Sequence, residues 1–263
     1  SKGQAFTIPY FTLDYSRTRI SDYFEINSLP LNAVISGKLD YKNVITRGLV
    51  LHLDASALES YPGSGTSWSD LSGNNNNGTL TNGPTFSSGN QGYINFDGTN
   101  DYVNIPDSSN WDFGTGEFSI EMWIYLDGAQ PQNYSGYIGT FQSKWPASGW
   151  VIMNSPGTTM RNYSNDGTYE TTISTNTDLN QWKHVVLTRV GNTGYMYINN
   201  SSVGTQSWTN AAFNNTGNPL LIGAGSGDHS KIRVASVKIY KGVGFTSTMV
   251  TQNYNIQKSR FGL

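Results

Sequence analysis

The chain of 263 residues contains no cysteine. Disulfides, thiolate metal centres and cysteine nucleophiles are thereby excluded. Charge is sparse as well: Asp, Glu, Lys and Arg total 13%, about half the share of an ordinary globular chain. The sixteen Lys and Arg residues are scattered singly. Without a basic block or stripe there is no footprint for a phosphate backbone, which argues against nucleic acid as a partner. No run approaches the roughly 18 apolar residues of a transmembrane helix, so membrane insertion is not expected. The start, Ser1-Lys2-Gly3-Gln4, is not an apolar leader. With no cysteine to oxidise, the chain reads as one folded in a reducing cytoplasm, even if it works outside a cell afterwards.

What the chain does have is 29 glycines, 16 tyrosines and 7 tryptophans, amid abundant Asn, Ser and Thr. Aromatics at 13% separate it from a disordered polar tail. Short apolar runs broken by Gly and Asn clusters are the pattern of many strands joined by tight turns. Residues 1–47 differ from the rest. They hold a denser set of charges, Asp14, Arg17, Arg19, Asp22 and Glu25 among them, and no glycine between Gly3 and Gly37. This segment reads as an N-terminal arm or docking segment, too short for a core of its own, followed by one domain over residues 48–263.

Within that domain, Phe118 to Leu126 alternates strictly. Phe118, Ile120, Met122, Ile124 and Leu126 fall on one face; Ser119, Glu121, Trp123 and Tyr125 fall on the other. Tyr93–Phe96 and Tyr102–Ile105 flank Asp97-Gly98-Thr99-Asn100-Asp101, which predicts a hairpin. A second hairpin is expected where Trp182–Val190 and Tyr195–Asn200 flank Gly191–Gly194, with Ser202–Thr205 adding a third strand. Ile232–Tyr240 is the last long strand, and Thr246–Ile256 a short helix capped by Thr246 or Ser247. Strands without intervening helices predict an all-β, two-sheet antiparallel jelly-roll sandwich.

Chemistry-bearing residues are few. His52 and His184 lie inside predicted strands and His229 in a loop; no nucleophile elbow, His-Glu-x-x-His or phosphate-loop pattern is present. A glycosidase needs two carboxyls about 5–9.5 Å apart. The nearest approach is Glu117 with Glu121, and Asp127 beyond, without a third carboxylate at the right place. These read as a solvated outer face, and the chain as a non-enzyme. Asp97–Asp101 and Asp107–Asp112 offer oxygen ligands for calcium, but their spacing is not that of a calcium loop, and Asx turns account for them better. No cofactor is expected. The remaining signal is aromatic. Tyr134, Tyr137, Trp145, Trp150, Tyr163 and Tyr169 cluster in sequence amid Gly, Ser and Asn, the composition of a glycan-stacking surface. Trp145 and Trp150, flanking Pro146 and Gly149, are the expected stacking platforms.

Several of these segments resemble a known family. Gly48-Leu49-Val50-Leu51-His52-Leu53-Asp54, Trp68-Ser69-Asp70-Leu71-Ser72-Gly73-Asn74 and Phe96-Asp97-Gly98-Thr99-Asn100-Asp101-Tyr102-Val103 are similar to the opening strands of laminin-G-like, concanavalin A-like domains. Phe118–Ile124, Gln181–Val186 and the ending Tyr254-Asn255 with Arg260-Phe261-Gly262 continue the match in order. The resemblance implies a concanavalin A-like jelly roll. The family's glucanase carboxylates and lectin metal ligands are not matched. The Asn-rich turn and the tail are similar to modules in virion proteins of tailed bacteriophages and in bacterial surface proteins. It implies a structural virion component (capsid decoration, fibre or tail surface) assembled in the host cytoplasm. Residues 1–47 would then dock on other virion subunits in an oligomer, and the jelly roll could bind host-surface glycan. The alternative is a bacterial carbohydrate-binding or adhesion module at the cell surface or outside the cell.

Overall fold

A computed structural model describes residues 44–140, 149–156, 159–165, 170–215, 217–225 and 227–263. The arm expected over residues 1–47 therefore lies outside the described residues except for its last four. Two large antiparallel sheets face each other as a sandwich, in agreement with the all-β reading.

The strands in chain order begin with β1 (Leu49–Asp54), β2 (Ser67–Trp68), β3 (Gly78–Thr81), β4 (Thr85–Ser87), β5 (Tyr93–Asp97) and β6 (Tyr102–Ile105). There follow β7 (Phe118–Leu126), β8 (Gly136–Gly139), β9 (Gly149–Ser155), β10 (Thr159–Asn165), β11 (Glu170–Thr171) and β12 (Ser174–Asn176). The last are β13 (Trp182–Val190), β14 (Thr193–Ile198), β15 (Ser201–Ser207), β16 (Leu220–Ile222), β17 (Ala224–Gly225), β18 (Asp228–His229) and β19 (Lys231–Lys241). The first sheet runs β15-β14-β13-β7-β19-β5-β4, with β1 also on β19; the second runs β11-β10-β9-β8-β16-β6-β3-β2, with β12 on β10.

The alternation of β7 is realised as read. Phe118, Ile120, Met122, Ile124 and Leu126 enter the main core, facing Ile138, Ile152, Ile222 and Val103 of the second sheet. The β13–β14 hairpin closes on Gly191-Asn192, and β14–β15 on Asn199-Asn200. Both asparagines have positive φ, 47° and 66°, as the twist of a two-residue hairpin demands. The helix, α1 (Ser247–Gln257), is capped by Thr246, whose hydroxyl accepts from the Met249 N–H at 3.4 Å. Val250, Asn253 and Gln257, at helical spacing, bury one face on the first sheet.

The expected hairpin around Asp97–Asp101 does not form. β5 pairs with β4 and β19 in the first sheet, whereas β6 pairs with β3 and β16 in the second. The five-residue turn instead carries the chain across the sandwich. Its carboxylates accept from its own backbone: Asp97 Oδ1 from the Thr99 N–H at 2.7 Å, Asp101 Oδ2 from the Asp97 N–H at 3.1 Å. Turn residues specify a reversal, and a reversal serves a sheet crossing as well as a hairpin.

Candidate functional site

The two outer faces of the sandwich differ in what answers their charges. On the first sheet, cross-strand register places His52, Lys238 and Glu121 in one row on β1, β19 and β7. Beneath α1 this row is sealed. Glu121, expected to be solvated, is 1% exposed. One of its oxygens lies 3.1 Å from His184 Nε2 and 3.5 Å from Lys238 Nζ; the other accepts from Asn253 Nδ2 at 2.6 Å. Burial alone would raise the Glu121 pKa, but Lys238, with His184 and Asn253, brings it down to about 2. His52 is lowered as well, but to the neutral state: burial, reinforced by Lys238, brings it to about 4. The other two carboxylates are also engaged. Glu117 Oε1 accepts from the Gly191 N–H at 2.8 Å, and Asp127 pairs with Arg233 at 3.1 Å. The three are thus spread along the strand in separate contacts.

At the rim of the same face Arg233 stands over two rings, 4.4 Å from the Tyr125 centroid and 5.6 Å from that of Tyr93. Beside it the chain's end is pinned down. Arg260 donates to Asp54 Oδ1 at 2.9 Å and to the Asn90 and Gly92 carbonyls, while Phe261 stacks on Trp123 at 4.1 Å.

The sequence-predicted aromatic site lies around β8–β10 of the second sheet, and its members separate. Trp145 and Tyr169 lie outside the described residues. Trp150 is fully buried, its indole N–H donating to the Trp111 carbonyl at 2.9 Å and its ring 5.4 Å from Phe113. It points into the core and offers no stacking platform. Tyr137 is core as well, and burial pushes its phenol far above the ordinary value. The reason is parity: Trp150, Ile152 and Met160 lie on the inward positions of β9 and β10.

Tyr134 and Tyr163 do come together. Arg161 stands between them, 4.9 Å from the Tyr134 centroid and 5.5 Å from that of Tyr163. Tyr163 packs with Val151 and Met153 in a small outward cluster. Tyr134 sits in the loop between β7 and β8, 39% exposed, with φ at 71°. Positive φ is costly for an aromatic residue, and here two contacts hold the loop: Asn154 donates to the Gln132 carbonyl at 2.9 Å and to the Ser135 carbonyl at 3.1 Å. The Arg161 Nε is buried and has no hydrogen-bond partner among the described residues. Sequence reading passed over Arg161; the signal was present, because Arg161 and Tyr163 are two residues apart on one strand. Toward β3 the same outward face continues through half-buried Leu221, Asn104 and Tyr102 to exposed Thr79.

Fold and surface together define a two-sheet, lectin-like sandwich with an arginine laid against tyrosine rings on its second sheet. The chain belongs to the concanavalin A-like lectin/glucanases superfamily, whose laminin G-type model matches residues 97–244. No curated protein sequence matches it. Among solved structures, it is similar to the binding domain of Paraclostridial Mosquitocidal Protein 1, with 18% identity over 79% of this chain and 52% of that one, TM-score 0.61. It is similar to the botulinum neurotoxin serotype D ligand-binding domain in complex with N-acetylneuraminic acid: 14% identity, 81% of this chain, 52% of that chain, TM-score 0.66. A Trypanosoma rangeli sialidase in complex with sialic acid shares 17% identity over 81% of this chain and 33% of its own, TM-score 0.59. The chain thus spans about half the length of the toxin domains, and what is shared at these identities is the fold.

Proposed function

We propose that this chain is a non-catalytic carbohydrate-binding module. The observation that carries the reading is Tyr134, an aromatic side chain kept exposed on a costly positive-φ backbone and laid against Arg161. Backbone strain of this kind concentrates at functional positions, and a ring with a neighbouring guanidinium can take the apolar face and the hydroxyls of a sugar. The lectin superfamily, and relatives solved with sialic acid bound, support the same class of ligand. A non-catalytic role is supported by Glu117, Glu121 and Asp127, each engaged in a separate contact. Within this reading, the jelly roll belongs on the surface of a tailed-phage virion, with residues 1–47 as the attachment to neighbouring subunits. That finer assignment is supported by the resemblance of the Asn-rich turn and the Tyr254-Asn255, Arg260-Phe261-Gly262 tail to such virion modules. Mass spectrometry of purified virions tests it.

A glycan array followed by titration tests the binding itself. Tyr134→Ala is expected to weaken the selected glycan about two- to twelve-fold, the range of a lost aromatic stack, with the melting temperature retained. Unchanged affinity rejects the Tyr134 site. An array without a single bound glycan rejects the function.

A further inference from the structure

At one side of the sandwich β12 of the second sheet comes close to β15 of the first, and a cleft of about 260 Å³ opens there. Ile198 and Val203, both packed on the main core, give it an apolar lining. Asn176, Asp178 and Gln181 are exposed on its rim, beside half-buried Asn199. Two buried polar groups line it. Lys183 is on the inward register of β13, opposite Ile124, and is only 3% exposed. Asp178, on the rim of the same cleft, is the opposing charge that acts on it. The Thr177 hydroxyl is buried and has no hydrogen-bond partner among the described residues.

A nearly buried cation whose opposing charge lies out in solvent is only partly compensated. Here it lies in a cavity open to solutes, and the opposing Asp178 is at the exposed rim, where water and salt screen it. Of the two opposed charges lining the cleft, the enclosed and less screened one is the lysine. Its volume lies just under the roughly 300 Å³ at which small-molecule pockets begin, room for one pyranose ring. We propose that the cleft binds a single sugar residue bearing a carboxylate or sulfate. The anionic group would sit on Lys183, a ring hydroxyl on Thr177 and the rim amides, and the apolar ring face on Ile198 and Val203. The ligand class rests on the carbohydrate-binding reading above; the site is separate from Tyr134 and Arg161.

Calorimetric titration of the whole chain with methyl glucuronide, methyl galactoside 6-sulfate and neutral methyl galactoside tests this. At least one anionic sugar is expected to bind ten-fold or more tighter than the neutral one, and the two anionic arms separate carboxylate from sulfate. Lys183→Met, which keeps the unbranched side chain as far as Cε and removes the ammonium, should erase that preference. Asp178→Asn, which removes the rim's opposing charge, should raise anionic affinity a few-fold; should Lys183→Met fail to fold, this variant decides, and no rise overturns the proposal. Equal binding of all three sugars overturns the cleft assignment while leaving the module a carbohydrate binder. Loss of the anionic preference in Tyr134→Ala also overturns it, because the anion would then sit at Arg161. If neither these sugars nor any arrayed glycan binds, both readings fall together.

Discussion

The outer face of the first sheet, on one side, and the outward face of the second with the edge cleft between β12 and β15, on the other, use the same chemical materials to opposite ends. Each has an arginine between two tyrosines, and each has basic side chains set into strands. On the outer face of the first sheet the charges are answered from within: Arg233 by Asp127, Arg260 by Asp54, Lys238 by Glu121. On β10 of the second sheet Arg161 keeps an Nε without a hydrogen-bond partner among the described residues, and at the edge cleft Lys183, on the inward side of the first sheet's β13, is opposed from the exposed rim by Asp178. An answered charge holds the fold together. A charge left open toward a cleft or a surface ring is available to a ligand, and the difference between the two regions is the strongest guide to where this molecule works.

If the first-sheet network is structural, breaking it should cost stability and little binding. Glu121→Gln leaves Lys238 buried and unpaired, and should lower unfolding free energy by about 3–5 kcal/mol in chemical denaturation. A loss below 1 kcal/mol would mean that water reaches the row beneath α1. Acid should find the same weakness. His52, ordinarily near 6.5, is held at about 4, so the unfolded chain binds its proton first. Stability conferred by neutral His52 is whole above about pH 6.5 and is lost as pH falls toward 4, by about 3 kcal/mol. Glu121, depressed from 4.5 to about 2, extends the loss through that lower window. Denaturation midpoints followed from pH 7 to pH 3 check both, and His52→Asn should flatten the upper part of the curve. The smallest effect is expected at the rim. Arg233 and Asp127 are 29% and 27% exposed, so Arg233→Gln should cost no more than about 1 kcal/mol, and less in high salt. A larger loss would place this rim pair with the buried ones.

Much of the architecture was legible because period-2 alternation and turn residues act locally. The inward set of β7, the β13–β14–β15 meander and the Thr246 cap all follow from residues within a few positions of one another. The failures share a different origin. Glu121 looked solvated because alternation separates two faces but does not say which is covered; α1, over a hundred residues downstream, covers this one. Asp97–Asp101 encodes a reversal without encoding which sheet receives the chain. At Trp150 local composition pointed to an exposed ring, and strand parity turned it inward. Lys183 was read only as part of a strand, since the cleft that gives it meaning is assembled from β12, β13 and β15 together.

The union of β1 with β19, locked by Arg260 on Asp54, has a consequence for the chain as it is made. The inner edge of the first sheet closes only when residues 231–241 arrive, some 180 positions after Leu49. At about 5–20 residues per second, β1 spends on the order of 10–40 s on the ribosome without its partner. Contacts this far apart in sequence also make folding slow once the chain is free. The charged and polar residues in these strands keep them from reading as continuous apolar edges during that interval. The same His52, Glu121 and Lys238 that later fasten the finished sheet would thus keep its strands soluble while they wait.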